Sequence, residues 1–231
     1  MSDSLSQINT HGFAVHDWIV GDDACAALCE GLAGRTSAHR RDGTYALRNV
    51  LELEAVADLA RCAAVRDLVE PVLGSDARAV RGIFFDKVPG ANWHVPWHQD
   101  RSIAVRERVE VPGYGPWSVK DGVVHVQPPA EVLENMVTVR IHLDPCPTEN
   151  GALQVLPGTH RLGIIPGEIL RDIHTRYATE TCAVPQGGVL VMRPLLVHAS
   201  RASDLPAHRR VVHIEFAAGE LPGGLAWHEV V

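Results

Sequence analysis

Met136-Val137-Thr138-Val139-Arg140-Ile141-His142-Leu143-Asp144 alternates without a break. Val137, Val139, Ile141 and Leu143 fall on one side of an extended chain, and Thr138, Arg140 and His142 on the other. A sustained period of two predicts a β-strand with one apolar and one polar face. Similar segments lie around it. Ala79 to Val88 is rich in branched and aromatic residues and stops at Pro89-Gly90, and Leu153 to Leu156 is bounded by Asn150-Gly151 and Pro157-Gly158. Gly188 to Arg193 and Arg209 to Ala217 complete the set; on the last, Arg209, Val211 and His213 share one face and Val212, Ile214 and Phe216 the other. Short strands punctuated by Gly and Pro fit a mainly β sandwich or jelly-roll barrel better than a βαβ sheet.

The chain before residue 79 reads differently. Residues 1–12 are polar and predict a loosely held end, and Phe13 to Val20 predicts a short strand with a turn at Gly21. Asp22 or Asp23 can cap a helix running through Ala24, Ala27, Leu28 and Leu32 to Gly34. Thr36 to Gly43 reads as loop, and helical patterns follow over Leu51 to Ala60 and Ala64 to Leu73. The organisation expected is a single domain over 1–231. Residues 1–78 form a mainly helical buttress and 79–217 a barrel, with a lid-like insert at 101–135 that shows no clear regular structure.

Composition narrows the function. At 231 residues the chain can bury one sizeable core. A formal charge of −7 with no long Lys/Arg cluster argues against nucleic acid as the main partner. No apolar run approaches the ~18–20 residues that cross a bilayer, so no membrane partner is expected. The first residues lack a basic stretch followed by an apolar one, so no signal peptide is expected. The five cysteines are scattered without a CxxC, which suits reduced thiols and a cytoplasmic location. Thirteen histidines justify a search for a metal site.

Trp93 to Asp100 reads as a second strand, and His98 and Asp100 on it project to one face. An imidazole and a carboxylate side by side are two thirds of a two-histidine, one-carboxylate metal site, and His198 on a downstream extended piece supplies the third. Such a triad leaves positions on Fe(II) for a bidentate 2-oxo acid and then O2. A co-substrate with a distal carboxylate also needs a fixed cation. Arg209, eleven residues after His198, offers a planar guanidinium, and Ser200, on the face of His198, a hydroxyl. An HxD pair alone is common by chance and also describes a surface pair; the HxD, distant His and Arg at +11 together are far more specific.

Other residues have two readings each. Lys87 ends a strand and either caps the surface or enters the pocket. Trp117, His125 and Gln127 lie in the insert, where they are either solvated loop residues or substrate contacts. Trp97 either packs behind the site or touches substrate. His142 reads as a satisfied barrel residue, His160 as a structural hydrogen-bonder, and His213 as a support for Arg209.

The segments FFDKVPGANWHVPWHQD and TVRIHLDPCPTENGALQVLPGTHRLG, with the region from His198 to Arg209, resemble the phytanoyl-CoA dioxygenase-like family of Fe(II)/2-oxoglutarate-dependent oxygenases. The resemblance runs from about Ala79 to Ala217. It implies a double-stranded β-helix (cupin-like) barrel, with His98, Asp100 and His198 as iron ligands and Arg209 and Ser200 as binders of the 2-oxoglutarate carboxylate. Arg140 falls where some relatives place a tryptophan beside 2-oxoglutarate, and Arg48 is a further polar contact. Halogenating relatives carry a small residue in place of the carboxylate, so Asp100 favours hydroxylation. The activity implied is Fe(II)-, 2-oxoglutarate- and O2-dependent hydroxylation of a small organic metabolite with release of succinate and CO2. Two alternatives stand beside it. A cupin-like metal-dependent hydrolase or isomerase needs no distal cation, so Arg209 with Ser200 counts against it. A non-catalytic metabolite-binding protein has little use for an intact triad.

Overall fold

The structure is a computed structural model that describes residues 2–36, 46–87, 94–204 and 208–231. Helices α1 (Ser2–His11), α2 (Asp22–Thr36), α3 (Glu54–Arg61) and α4 (Ala63–Leu73) occupy the first part, together with strands β1 (Phe13–His16) and β2 (Ala46–Arg48). Then come β3 (Arg78–Lys87), β4 (Val95–His98), β5 (Ile103–Val105), β6 (Trp117–Lys120) and β7 (Val123–Val126). After α5 (Ala130–Glu134) follow β8 (Met136–His142), β9 (Leu153–Val155), β10 (Glu180–Cys182), β11 (Val189–Met192), β12 (His198–Ser200) and β13 (Arg209–Ala217).

A six-stranded sheet in the order β1-β11-β8-β13-β3-β2 and a four-stranded sheet in the order β10-β9-β12-β4 make the centre, all pairs antiparallel. This is the expected jelly-roll. The apolar side of β8 is its outer side: Val137, Val139, Ile141 and Leu143 are fully buried among Leu28 and Leu32 of α2, Val56 of α3 and Val65 and Val69 of α4. Each fully buried aliphatic side chain contributes about 1.5–3 kcal/mol, so this layer supplies much of the driving force. The polar side of β8, β13 and β3 is left facing inward between the sheets.

Two expectations need correction. Residues 1–12 are not loosely held: α1 carries Asp3 in its first turn, where the helix dipole favours a negative charge, and seats Ile8, 1% exposed, in the main core. One deeply buried anchor makes too sparse a pattern to read. The first 78 residues are mainly helical, with the strand expected after Phe13 as β1, and they contribute both edge strands of the large sheet, β1 and β2. The insert at 101–135 is built as a sheet of its own, in the order β5-β7-β6, with α5 after it. Its hairpin turns through Asp121 and Gly122, at φ 50° and 81°, the two positive values a type I′ turn demands. Ile103, Val105, Val126, Leu133 and Trp227 give it its own apolar core. Trp93, the Pro89-Gly90 turn and all of the Thr36–Gly43 loop except Thr36 lie outside the described residues. No helix among the described residues is long and apolar enough to cross a membrane.

The C-terminal segment runs back along β3, with Val231 and Ala79 exchanging backbone hydrogen bonds at 3.0 and 2.9 Å. It buries Glu229, whose Oε2 accepts from Gly82 N at 3.3 Å while Oε1 has no partner. Burial pushes this carboxyl up to about 7. The native state therefore holds a proton that the unfolded chain has lost, and stability falls as pH rises from about 4.5 towards 7. Glu229→Gln is expected to flatten that slope and to raise stability at pH 7 by roughly 1–3 kcal/mol. Urea denaturation across pH 4.5 to 7.5 checks this; a slope the same in both proteins contradicts it.

Candidate metal centre and pocket

His98 ends β4 and His198 opens β12, and the two residues are directly opposite in register. Their ring centroids are 4.1 Å apart. Asp100 sits just beyond β4 rather than on it, fixed by its backbone N–H donating to Pro194 O at 2.9 Å. Gln99, between them, points the other way. Its Nε2 donates to Gly163 O and Leu195 O, both at 2.8 Å, and its Oε1 accepts from Ile165 N at 2.9 Å. That anchored amide makes His98 and Asp100 project together into the space between the sheets.

The imidazoles are held in one tautomer. Nδ1 of His98 donates to Pro96 O and Nδ1 of His198 to Leu196 O, each at 2.9 Å. A carbonyl only accepts, so each Nδ1 carries a hydrogen, and in the neutral ring that leaves the Nε2 lone pair for a metal. Both Nε2 atoms face Asp100, at 3.8 Å from Oδ1 for His98 and 3.7 Å from Oδ2 for His198. These separations are too long for hydrogen bonds and suit three ligands around one ion. The donor atoms all lie within 4.8 Å of one another. Burial, reinforced by the neighbouring His98, pushes His198 down to about 3, which keeps it neutral. Burial raises the Asp100 carboxyl, but His198, His98, His213 and Arg81 together outweigh it and hold the group below the usual carboxylate range. Two imidazoles and one carboxylate are a donor set that fits Fe(II).

The pocket has a cavity volume of about 130 Å³ and opens to solvent. At one end Arg209, Ser200, Lys87 and Arg140 converge. The Arg209 guanidinium donates to the Asn150 and Gly151 carbonyls. Gly151, at φ 65°, lets that turn come so close to Arg201 that a Cβ would lie 2.5 Å from the Arg201 carbonyl. Lys87 Nζ donates to Ser200 Oγ at 3.0 Å, which leaves the Ser200 hydrogen to be given elsewhere. Burial, then Arg209 and Arg140, push Lys87 down to about 7. So dense a set of buried cations is stabilised by an arriving carboxylate.

Arg140 donates from Nη1 to His213 Nδ1 at 2.8 Å. His213 Nε2 then carries the hydrogen and faces Glu215 Oε1 at 3.3 Å, and Glu215 pairs with Arg81 at 3.4 Å. This chain of groups crosses β8, β13 and β3 at the register pairs Arg140↔His213 and Glu215↔Arg81. His213 thus supports Arg140 rather than Arg209. His142 is not the satisfied residue expected, since neither ring nitrogen has a partner among the described residues. Trp97 packs flat against His174, and His160 bonds Asn9 O.

The remaining candidates separate by place. Lys87 and Arg140 line the pocket, whereas Arg48, Trp117, His125 and Gln127 do not. Trp117 packs in the core of the insert, with Arg108 over its ring. His125 is buried with Nδ1 on Val123 O, and Gln127 pairs its backbone with Gly115 and Pro116. Sequence reading alone misses Gln99, Arg81, Phe85 and Glu215. Alternation carries the signal for three of them: Arg81 and Phe85 share the face of Lys87 on β3, and Glu215 the face of Arg209 on β13.

The chain matches the family model for phytanoyl-CoA dioxygenase (PhyH) over residues 8–211. No curated protein matches it significantly. Among solved structures it is similar to HygX from Streptomyces hygroscopicus with nickel and 2-oxoglutarate bound, at 17% identity and TM-score 0.69 over 100% of this chain and 97% of that one. It is also similar to the epimerase SnoN in complex with Fe3+, alpha ketoglutarate and nogalamycin RO, at 16% identity and TM-score 0.73 over 96% and 90% of the chains. A third is EctD from S. alaskensis with 2-oxoglutarate and 5-hydroxyectoine, at 18% identity and TM-score 0.69 over 94% and 76%. Identities this low carry the fold alone.

If the three side chains share one ion, Asp100→Ala is expected to weaken Mn(II) binding by more than about 100-fold, since even groups behind the ligands give 10–100-fold. Calorimetric titration of the metal reads this; an unchanged affinity removes Asp100 from the site.

Proposed function

Since the chain belongs to the phytanoyl-CoA dioxygenase family, whose cofactors are Fe(II), 2-oxoglutarate and O2, and is accordingly a 2-oxoglutarate-dependent oxygenase, we propose that it hydroxylates a small organic metabolite, releasing succinate and CO2. The observation that carries the proposal is the convergence of His98, Asp100 and His198 on one point with both Nε2 lone pairs directed there. When bound, the metal and co-substrate supply O2 activation.

The residues of this chain have distinct tasks in that reading. His98, Asp100 and His198 would hold the metal through both Nε2 atoms and the carboxylate. Arg209 still has donors beyond those given to Asn150 and Gly151, and these grip the distal carboxylate of 2-oxoglutarate. Ser200 donates its hydroxyl to the same group. Lys87 and Arg140 add charge, and a carboxylate arriving between them returns Lys87 towards its usual ammonium form. Burial of Arg209 and Lys87, with Arg140 half-buried beside them, excludes water from that end and strengthens each interaction. Asp100 occupies the ligand position that a halide takes in halogenating relatives, so oxygen insertion is favoured over halogenation. EctD, similar in fold, is seen with a hydroxylated compound, 5-hydroxyectoine. SnoN, also similar in fold, is an epimerase, so the product decides the outcome: hydroxylation adds one oxygen atom, and epimerisation adds none.

Succinate formation from 2-oxoglutarate is expected only with Fe(II) and O2, stimulated by the substrate in a metabolite screen. Succinate formed equally without iron, or none under any condition, contradicts the proposal and favours a hydrolase, an isomerase or a binding protein. Arg209→Ala is expected to raise the KM for 2-oxoglutarate at least tenfold, about 1.4 kcal/mol. An unchanged KM removes Arg209 from the clamp.

A further inference from the structure

Inward-facing residues of β3 run from Arg81 through Ile83 and Phe85 to Lys87. Lys87 stands at the carboxylate clamp with Arg209, its register partner. Arg81 is six residues earlier on the same strand, about 20 Å away at ~3.3 Å per residue. The pocket therefore has a second cationic end, separate from the first.

Other cations gather there. Arg48 on β2 is registered opposite Ile83, and residues paired across antiparallel strands share a face, so Arg48 extends the pocket side to the sheet edge. Lys120 comes from the β6–β7 hairpin of the insert. Register places it on the face of His125 and Ser118, opposite the face with Trp117, Val124 and Val126 that packs in the insert core. Two residues tie the cations together. Ser102 accepts from Arg81 Nη1 at its carbonyl, 2.7 Å, and from Lys120 Nζ at its hydroxyl, 3.3 Å. Asp121, next to Lys120 in the chain, pairs with Arg48 Nε at 2.9 Å.

The charges at this end do not balance: Glu229 also acts on Arg81, but burial pushes its carboxyl up to about 7, and Asp100, which acts on Arg81 and Lys120, belongs to the triad. Glu215 is shared between Arg81 and the His213–Arg140 pair. Asp121, which serves Arg48, is 57% exposed, so its charge is spent largely on water. Lys120 donates to a hydroxyl, which brings no opposing charge. Burial, then the neighbouring Arg81, lower both Lys120 and Arg48 from their usual values. Burial pushes His125 down to about 4, so it stays neutral and adds no charge to the set.

We infer that the substrate carries an oxyanion, a carboxylate or a phosphate, and that Arg48, Arg81 and Lys120 receive it at the rim of the pocket. The inference rests on the oxygenase reading and names the substrate class of that site. Arg81 lines the same pocket as His98, Asp100 and His198, so an anion held there leaves the rest of the molecule beside the triad. The insert then sets specificity through Lys120 rather than through Trp117, His125 or Gln127.

The test is calorimetric titration of inorganic phosphate and, separately, acetate at constant ionic strength. The protein is loaded with Mn(II) and saturating 2-oxoglutarate without O2, so that the Arg209 end is filled. Saturable binding is expected, weakened tenfold or more by Lys120→Met or Arg48→Met and restored by Lys120→Arg. The tighter of the two anions names the group. No saturable binding of either anion by the wild type, or equal binding by wild type and both Met variants, overturns the inference. Loading with Mn(II) and 2-oxoglutarate is measured first. If loading succeeds and the anions do not bind, the oxygenase reading stands and the inference falls. If loading fails, that reading falls, and the comparison of wild type with Lys120→Met in metal-free protein still decides the inference.

Discussion

Two hydrogen bonds from ring to backbone fix the geometry of the candidate metal centre. Nδ1 of His98 and Nδ1 of His198 each donate to the carbonyl two residues upstream, on Pro96 and Leu196. Without those carbonyls either ring could rotate or change tautomer, and a donor N–H could replace a lone pair at the point shared with Asp100. Gln99 does comparable work for the loop, since three hydrogen bonds fix its amide and force its neighbours to the opposite side. Preorganisation is achieved almost entirely with backbone partners. The ring positions are therefore set by the register of β4 against β12.

The large sheet explains how so polar a pocket is stable. Its outer face packs Val137, Val139, Ile141, Val212, Ile214 and Phe216 against helices, which frees the inner face to carry Arg81, Lys87, Arg140, Arg209, His213 and Glu215. Buried charges are costly unless paired, and several here are paired: Arg81 with Glu215, Arg140 with His213, Arg209 with two carbonyls. The balance is incomplete. The surplus is positive at both ends of the pocket, which suits 2-oxoglutarate at the Arg209 end and the proposed oxyanion at the Arg81 end.

Much of this is legible in the chain. Strict alternation locates β8 and β13, and the HxD pattern with its distant His and Arg names the residues that the fold brings together. What stays hidden has physical reasons. Alternation shows which residues share a face but not which face is inside, so the polar side of β8 could as easily have met solvent. Helix α1 has one deep anchor, Ile8, too few for a periodic signal. The insert reads as irregular because its clearest mark, Asp121-Gly122 between two short alternating runs, is one turn signal among many prolines and glycines. Arg81 and Glu215 can be deduced to share faces with Lys87 and Arg209, but their pairing needs the β3–β13 register, which no local pattern contains.

X-ray absorption of the Fe(II)-loaded protein at the iron edge tests the central claim most directly, because it counts imidazoles on the metal without relying on turnover. Two imidazoles with the remaining ligands oxygen are predicted for the wild type, and one imidazole for His198→Ala. A sulfur ligand, fewer than two imidazoles in the wild type, or the same spectrum from both proteins contradicts the account.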